Sequence, residues 1–227
     1  MKDIEELESR LGINFKNKEL LITSLTHKSW SVQNKSNVNN ERLEFLGDSV
    51  LSVIVSEFLY QNFADKPEGY LSKLKSVLVS KVQITKWSKE IKLDKYLMIS
   101  TAEEAAGGRK KETILAGVFE ALLGAIYLDQ GIEVVRNFLV NNFLSKSIKN
   151  LEIQDHKSLL QEIIQKEFKK LPEYEIIKET GPDHDKVFDC VVKIDNKVLG
   201  EGRGKTKKQS QQNAAKEALK KLGYDIK

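Results

Sequence analysis

Asn40-Glu41-Arg42-Leu43-Glu44-Phe45-Leu46-Gly47-Asp48-Ser49 reads as the start of an amphipathic helix whose acids keep a fixed spacing. Glu41, Glu44 and Asp48 recur at i, i+3 and i+7, and at ~100° per residue they fall within a sector of roughly 60°. Leu43, Leu46, Val50, Val53 and Ile54 take the opposite side. Asn40 closes the Asn- and Ser-rich stretch 33–40 and is a good N-cap for this helix. Like charges this close repel, and a cation between them relieves the repulsion. Spacing alone leaves a solvated acidic stripe as the plainer reading.

The pattern stays helical from Ile4 to about Phe143, interrupted by a single proline, Pro67. It predicts an all-α domain over 1–148. The segment 149–154 has weak hydrophobicity and no strong period, and reads as a linker. From 155 to 224 the grammar changes to α+β, in the order α-β-β-β-α: helix 156–168, strands 174–180, 187–194 and 197–202, helix 207–222. Asp195-Asn196 between the last two strands is a hairpin-turn signal. In the second strand Phe188, Cys190, Val192 and Ile194 alternate with less apolar neighbours, which makes Cys190 a core residue.

The 227 residues are 40% hydrophobic and 31% charged, enough for two modest cores. The net charge of +4 suits a polyanionic partner without proving one. A single cysteine excludes an intrachain disulfide. The start, Met1-Lys2-Asp3-Ile4-Glu5-Glu6, lacks an apolar signal core, and no segment has the roughly 18 uninterrupted apolar residues of a membrane span. A soluble, cytoplasmic protein with no membrane partner is expected. No Cys and His arrangement suits zinc, and no phosphate-cradling glycine loop follows a strand, so no nucleotide cofactor is expected. His27 reads as a hydrogen-bonded structural residue. Arg109-Lys110-Lys111 are read as a basic run touching phosphates, with a solvated run as the alternative.

A second helix, from about Glu112 to Leu128, carries one acid in its apolar middle, Glu120. Small residues beside it, Ala121, Gly124 and Ala125, point to close helix packing rather than open solvent. In the second domain, Arg203 to Lys208 hold four basic side chains and no acid at the start of the last helix, where the helix dipole also favours phosphate.

Four ordered elements resemble the ribonuclease III family: Leu25-Thr26-His27-Lys28-Ser29, the acidic decade, Pro67-Glu68-Gly69-x-Leu71-Ser72, and Ile114-Leu115-Ala116-x-x-x-Glu120-Ala121-Leu122-x-Gly124. Gly200-Glu201-Gly202-Arg203-Gly204-Lys205-Thr206-Lys207-Lys208 with Asn213-Ala214-Ala215-Lys216 resembles a double-stranded RNA-binding domain. The resemblance implies a Mg²⁺-dependent homodimeric endonuclease, with Mn²⁺ as an alternative metal. Such enzymes cut both strands of duplex RNA, leave 5′-phosphate and 3′-hydroxyl ends, and process ribosomal and other transcripts. It implies Asp48 and Glu120 as catalytic residues, Glu44, Asp48 and Glu120 as metal ligands, and Glu41 and Glu68 as accessory acids. Phe45 becomes a knob for the partner subunit. The same resemblance puts Gln161, Glu162 and Gln165 in one minor groove, Pro182 and His184 in the next, and Lys205, Lys207 and Lys208 near phosphates, with Gln211 replacing a third basic residue. One departure is Gly117, at a position where the family carries an Asp ligand. It leaves open an alternative, a non-catalytic double-stranded RNA-binding dimer.

Overall fold

The computed structural model of the chain describes residues 2–154, 156–182 and 185–224. It divides into two compact units, the first ending at Ser145 and the second beginning at Lys146.

The first unit is helical throughout: α1 (Lys2–Leu11), α2 (Lys18–Leu25), α3 (Lys28–Gln33), α4 (Glu41–Asn62), α5 (Glu68–Leu78), α6 (Lys81–Glu90), α7 (Thr101–Ala105), α8 (Glu112–Gln130) and α9 (Ile132–Leu139). Helix α8 is its axis. From Ile114 to Ile126 every residue is buried except the half-buried Glu120. A helix apolar all round must be covered on every side, and α2, α4, α6 and α9 pack against it. The core is cemented by Trp87, Phe119, Phe138 and Phe143, whose neighbouring rings stand 5.4–5.9 Å apart in tilted and edge-on contacts. Phe143 belongs to a π-helical turn, Val140–Leu144, that leads from α9 into α10 (Ser145–Gln154).

The stretch 149–154, read as a linker, is helical as the second half of α10; without Gly or Pro, it has helical propensity even though its amphipathic period is weak. Two expectations are corrected here. Asn40 does not cap α4 with its side chain. Asn39 does so through its Oδ1, which accepts the Glu41 amide at 3.0 Å, while the buried Asn40 donates its amide to the Thr26 carbonyl at 2.9 Å. Val53 is 59% exposed rather than packed inward. The buried face of α4 is Leu43, Gly47, Val50, Leu51, Ile54, Val55 and Leu59, rotated slightly from the expected one because α8 approaches over Gly47.

In the second unit, α11 (His156–Phe168) and α12 (Lys207–Lys221) cover an antiparallel sheet of β1 (Glu173–Thr180), β2 (Val187–Ile194) and β3 (Lys197–Gly204), in the order β1-β2-β3. The expected α-β-β-β-α order holds. Asp195 and Asn196 both take positive φ, +47° and +66°, as a tight two-residue hairpin turn demands. Leu160, Ile164, Cys190, Val192, Ile194, Ala214, Ala215, Ala218 and Leu219 form the core. The glycines of the basic stretch, Gly200, Gly202 and Gly204, are alternate residues of β3 that face α12. A Cβ at Gly202 would fall 2.0 Å from the Ala214 amide nitrogen, so only glycine lets this helix of small residues lie on the strand. No described helix is long and apolar enough to cross a membrane.

Candidate functional site

Helices α4 and α8 cross with their backbones in contact. A Cβ on Gly47 would fall 1.7 Å from the Glu120 carbonyl oxygen, and one on Gly124 would fall 2.3 Å from the Leu43 carbonyl oxygen. Two glycines, one on each helix, therefore set the crossing. They bring the acids of α4 within electrostatic reach of Glu120, the acid in the apolar middle of α8.

At the crossing, Glu44 and Glu120 are half-buried and Asp48 is exposed. Burial pushes the Glu120 carboxyl up from its ordinary value of 4.5 to about 7; Asp48 and Glu44 push it the same way by repulsion, and the Lys81 ammonium pulls against them. Burial also raises Glu44, reinforced by the charges of Glu41 and Asp48 and opposed by Lys81. The set is therefore a partly desolvated anionic cluster with one nearby cation. Nothing in the sequence around Lys81 marks it: it is the first residue of an ordinary helix, and only the packing of α6 on α8 carries it here.

Gly117 lies directly beneath this cluster. A Cβ at position 117 would fall 2.6 Å from Glu44 Oε2 and 2.8 Å from Glu44 Cδ. The Glu44 carboxylate thus rests against bare α8 backbone, in space that a larger residue would claim. Among the described residues, no group of three or more His, Cys, Asp or Glu side chains is drawn together tightly enough to hold a metal ion as it stands. The chemistry of the donors nonetheless fits a hard divalent cation: all are carboxylates, and their repulsion is what such a cation relieves.

The other acids stand differently. Glu41 is exposed, next to Glu44, and its carboxylate accepts from the Lys28 ammonium at 2.9 Å. Glu68, first residue of α5, accepts from the Ser72 hydroxyl at 2.5 Å and lines a cavity of about 450 Å³ with Glu57, Tyr60 and Lys75, beside the second half of α4. Within one chain it is not among the groups that act on Glu44 or Glu120. Phe45 is 78% exposed and, with Val53 at 59% and Tyr60 at 75%, leaves an apolar stripe along the outside of α4. His27 caps α3, its Nδ1 accepting the Ser29 amide at 3.2 Å. Arg109 is not free to touch phosphate. Its guanidinium donates to the Glu104 carboxylate and to the carbonyls of Asp94 and Leu97, and Lys111 pairs with Glu103.

On the second unit, Gln161, Glu162 and Gln165 are exposed on α11, opposite the buried Leu160 and Ile164. Pro182 is exposed and its carbonyl accepts the Asp185 amide at 2.9 Å; His184 lies outside the described residues. Thr206 caps α12, with its side chain accepting from Gln209 at 3.1 Å, and so fixes the start of the helix that carries Lys207 and Lys208, both exposed. Lys207 stands 5.6 Å over the Phe188 ring, and Lys205 pairs with Asp185 at 3.0 Å. Gln211 is half-buried and accepts from the Lys157 ammonium at 2.8 Å.

Residues 17–147 match the family model described as Ribonuclease-III-like, and residues 156–222 match the double-stranded RNA binding motif. Fold and site thus define a two-domain nuclease, a helical hydrolytic domain joined to an RNA-binding module. The chain belongs to the ribonuclease III family. It is 45% identical to Ribonuclease 3 of Clostridium perfringens, over 98% of this chain and 96% of the relative. With Ribonuclease 3 of Aliarcobacter butzleri it shares 46% identity over 98% of this chain and 99% of the relative. A crystal structure of the nuclease domain of ribonuclease III from Campylobacter jejuni matches with a TM-score of 0.60 and 43% identity, covering 65% of this chain and 97% of that one. A second structure of that domain, described as flexible in a region involved in dimer formation, matches with a TM-score of 0.57 and 44% identity over 62% of this chain and 98% of that one.

Proposed function

We propose that this chain is an endoribonuclease that hydrolyses both strands of double-stranded RNA, leaving 5′-phosphate and 3′-hydroxyl ends. One observation carries the reading: the Gly47–Gly124 crossing sets Glu44, Asp48 and Glu120 together, in a chain that also holds a double-stranded RNA binding motif. Glu44, Asp48 and Glu120 would hold Mg²⁺, or Mn²⁺ in its place. A hard divalent cation supplies charge stabilisation at the attacking and leaving oxygens and makes water a competent nucleophile near neutral pH. The chain itself contributes the placement. Burial and the rigid helix crossing hold the acids where water alone would spread them, and Lys81 moderates their repulsion.

The second unit delivers the substrate. A-form RNA hides its bases in a narrow major groove, so such a module reads shape over roughly 16 base pairs. Lys207 and Lys208, with Lys205, meet phosphates; Gln161, Glu162 and Gln165 enter one minor groove, and the turn of Pro182 and His184 the next. Two copies of the helical unit assemble through the α4 stripe, Phe45 entering the partner, so that each strand meets its own set of acids. Glu41 and Glu68 assist from the edges of that valley. The enzyme works in the cytoplasm on ribosomal and other structured transcripts, without a nucleotide cofactor.

The test is incubation of the purified protein with end-labelled duplex RNA across a Mg²⁺ series. Short duplex products that require Mg²⁺ and vanish in Glu120→Gln, with duplex affinity retained, are the expected result. Gly117 favours a second reading, a duplex-binding dimer without catalysis. Tight binding with no cleavage at any Mg²⁺ or Mn²⁺ concentration would establish that reading instead.

A further inference from the structure

Helix α12 presents Lys207 and Lys208 in its first turn and Gln211 one turn later, at i+4 and i+3 from them, so the three side chains are neighbours on one helix surface, about 5–6 Å apart at Cβ. The third of them is neutral. Its place is nonetheless charged, because the ammonium of Lys157, from the first turn of α11, donates to Gln211 Oε1 at 2.8 Å. Two further contacts fix Lys157. The Lys157 amide donates to Gln212 Oε1 at 2.9 Å, which pins the start of α11 to α12 at consecutive residues. The ammonium also stands 4.5 Å from the centroid of the Tyr174 ring, whose negative face attracts a cation. Among the described residues no carboxylate pairs with Lys157, in contrast to Lys205, which is matched by Asp185. An amide oxygen and a ring face position a cation without cancelling it. Lys157 is only half-buried, so its charge is not sealed from solvent.

We propose that the Lys157 ammonium is the third phosphate-binding cation of the α12 row, supplied from α11 and held in place by Gln211. The inference rests on the reading of the second unit as a duplex-RNA binder and adds a binding residue to it. Each phosphate neutralised by a protein cation releases counterions, which gives the logarithm of affinity a slope of about 0.7–0.9 per contact against the logarithm of salt concentration. A side chain that merely braces two helices leaves that slope alone. The two roles therefore separate in a salt titration even when both lower affinity.

The experiment measures binding of the full chain to a duplex of about 20 base pairs, longer than one module's footprint, without divalent metal, from about 50 to about 200 mM salt. Lys157→Gln should make the slope shallower by about one contact, so that its deficit against the parent shrinks about threefold across that range. Lys157→Arg, which keeps the charge, should keep the slope. The double variant Lys157→Gln, Gln211→Lys moves the charge onto α12 at the same place and should restore it. A parental slope in Lys157→Gln, whatever its affinity or melting temperature, would overturn the proposal and leave Lys157 as a brace. A double variant that stays as shallow as Lys157→Gln would overturn the placement at Gln211. If the parent chain itself fails to bind duplex RNA, the underlying reading falls and this inference with it, an outcome distinct from both.

Discussion

Glu120 is the one residue between Ile114 and Ile126 of α8 that is only half-buried, and that position fixes its titration. In the unfolded chain its carboxyl returns to about 4.5, whereas in the folded chain burial and its acidic neighbours hold it at about 7. Between those values the native state binds the extra proton. The stabilisation is therefore fully present below about pH 4.5 and is lost as pH rises through about 7. Chemical denaturation of the metal-free protein should show this loss, on the order of 3 kcal/mol at most, and Glu120→Gln should flatten it. A pH profile identical in the variant would show that Glu120 is solvated. Gly117 poses the complementary question. The obstruction to a side chain there is the far end of Glu44, which can swing aside, so Gly117→Asp should fold. It adds a fourth carboxylate to the cluster, so Mg²⁺ should raise its melting temperature more than it raises the parent's and should reach half-maximal cleavage at a lower concentration. Equal Mg²⁺ responses in the two proteins would mean that position 117 does not face the metal site.

At the scale of elements, everything at the site depends on how closely α4 and α8 approach. Because a Cβ at Gly47 would sit 1.7 Å from backbone rather than from a side chain, no rotamer change can absorb it. Gly47→Ala should force the helices apart, cost on the order of 3 kcal/mol, and lower cleavage by more than the loss of folded protein explains. The exposed Ser49, one turn-half away, is the control: Ser49→Ala should stay within about 0.5 kcal/mol of the parent. Urea midpoints for the two variants measure the difference. In the second unit the same device operates between a strand and a helix, where Gly200 and Gly202 lie against Ala214 and Ala218.

The whole molecule is incomplete as a single chain if both strands of a duplex are to be cut. Phe45, Val53 and Tyr60 follow one face of α4 and are 59–78% exposed, although they are large apolar side chains. Exposed apolar rows of this kind mark interaction surfaces, and a two-fold contact would bury each row against its copy. Phe45→Ala should shift sedimentation toward the monomer and reduce double-strand cleavage, while the RNA affinity of the second unit stays near that of the parent. A variant that sediments as an undisturbed dimer would place the assembly surface elsewhere.

Several features were legible along the chain because their causes are local. Alternation of Phe188, Cys190, Val192 and Ile194 specified β2 to the residue, and Asp195-Asn196 specified its turn, since strand period and left-handed backbone depend on neighbours in sequence. The acids at 41, 44 and 48 were visible by spacing, and Glu120 by its isolation in an apolar run. Other features depend on segments far apart in sequence and had no local trace. Lys81 joins the acid cluster only because α6 packs on α8, and Lys157 finds Gln211 only because α11 and α12 share a sheet. Arg109 looked available for phosphate until the fold surrounded it with Glu104 and two carbonyls. That Gly200, Gly202 and Gly204 clear the way for α12 had no local trace either, because a glycine's permissive backbone and its missing side chain are indistinguishable in a sequence. The sequence by itself determined the fold class of each unit, the strands of the second and which residue types gather. Only the tertiary structure decided which charges are matched, because Coulomb and burial energies depend on distances between segments that the linear order leaves open.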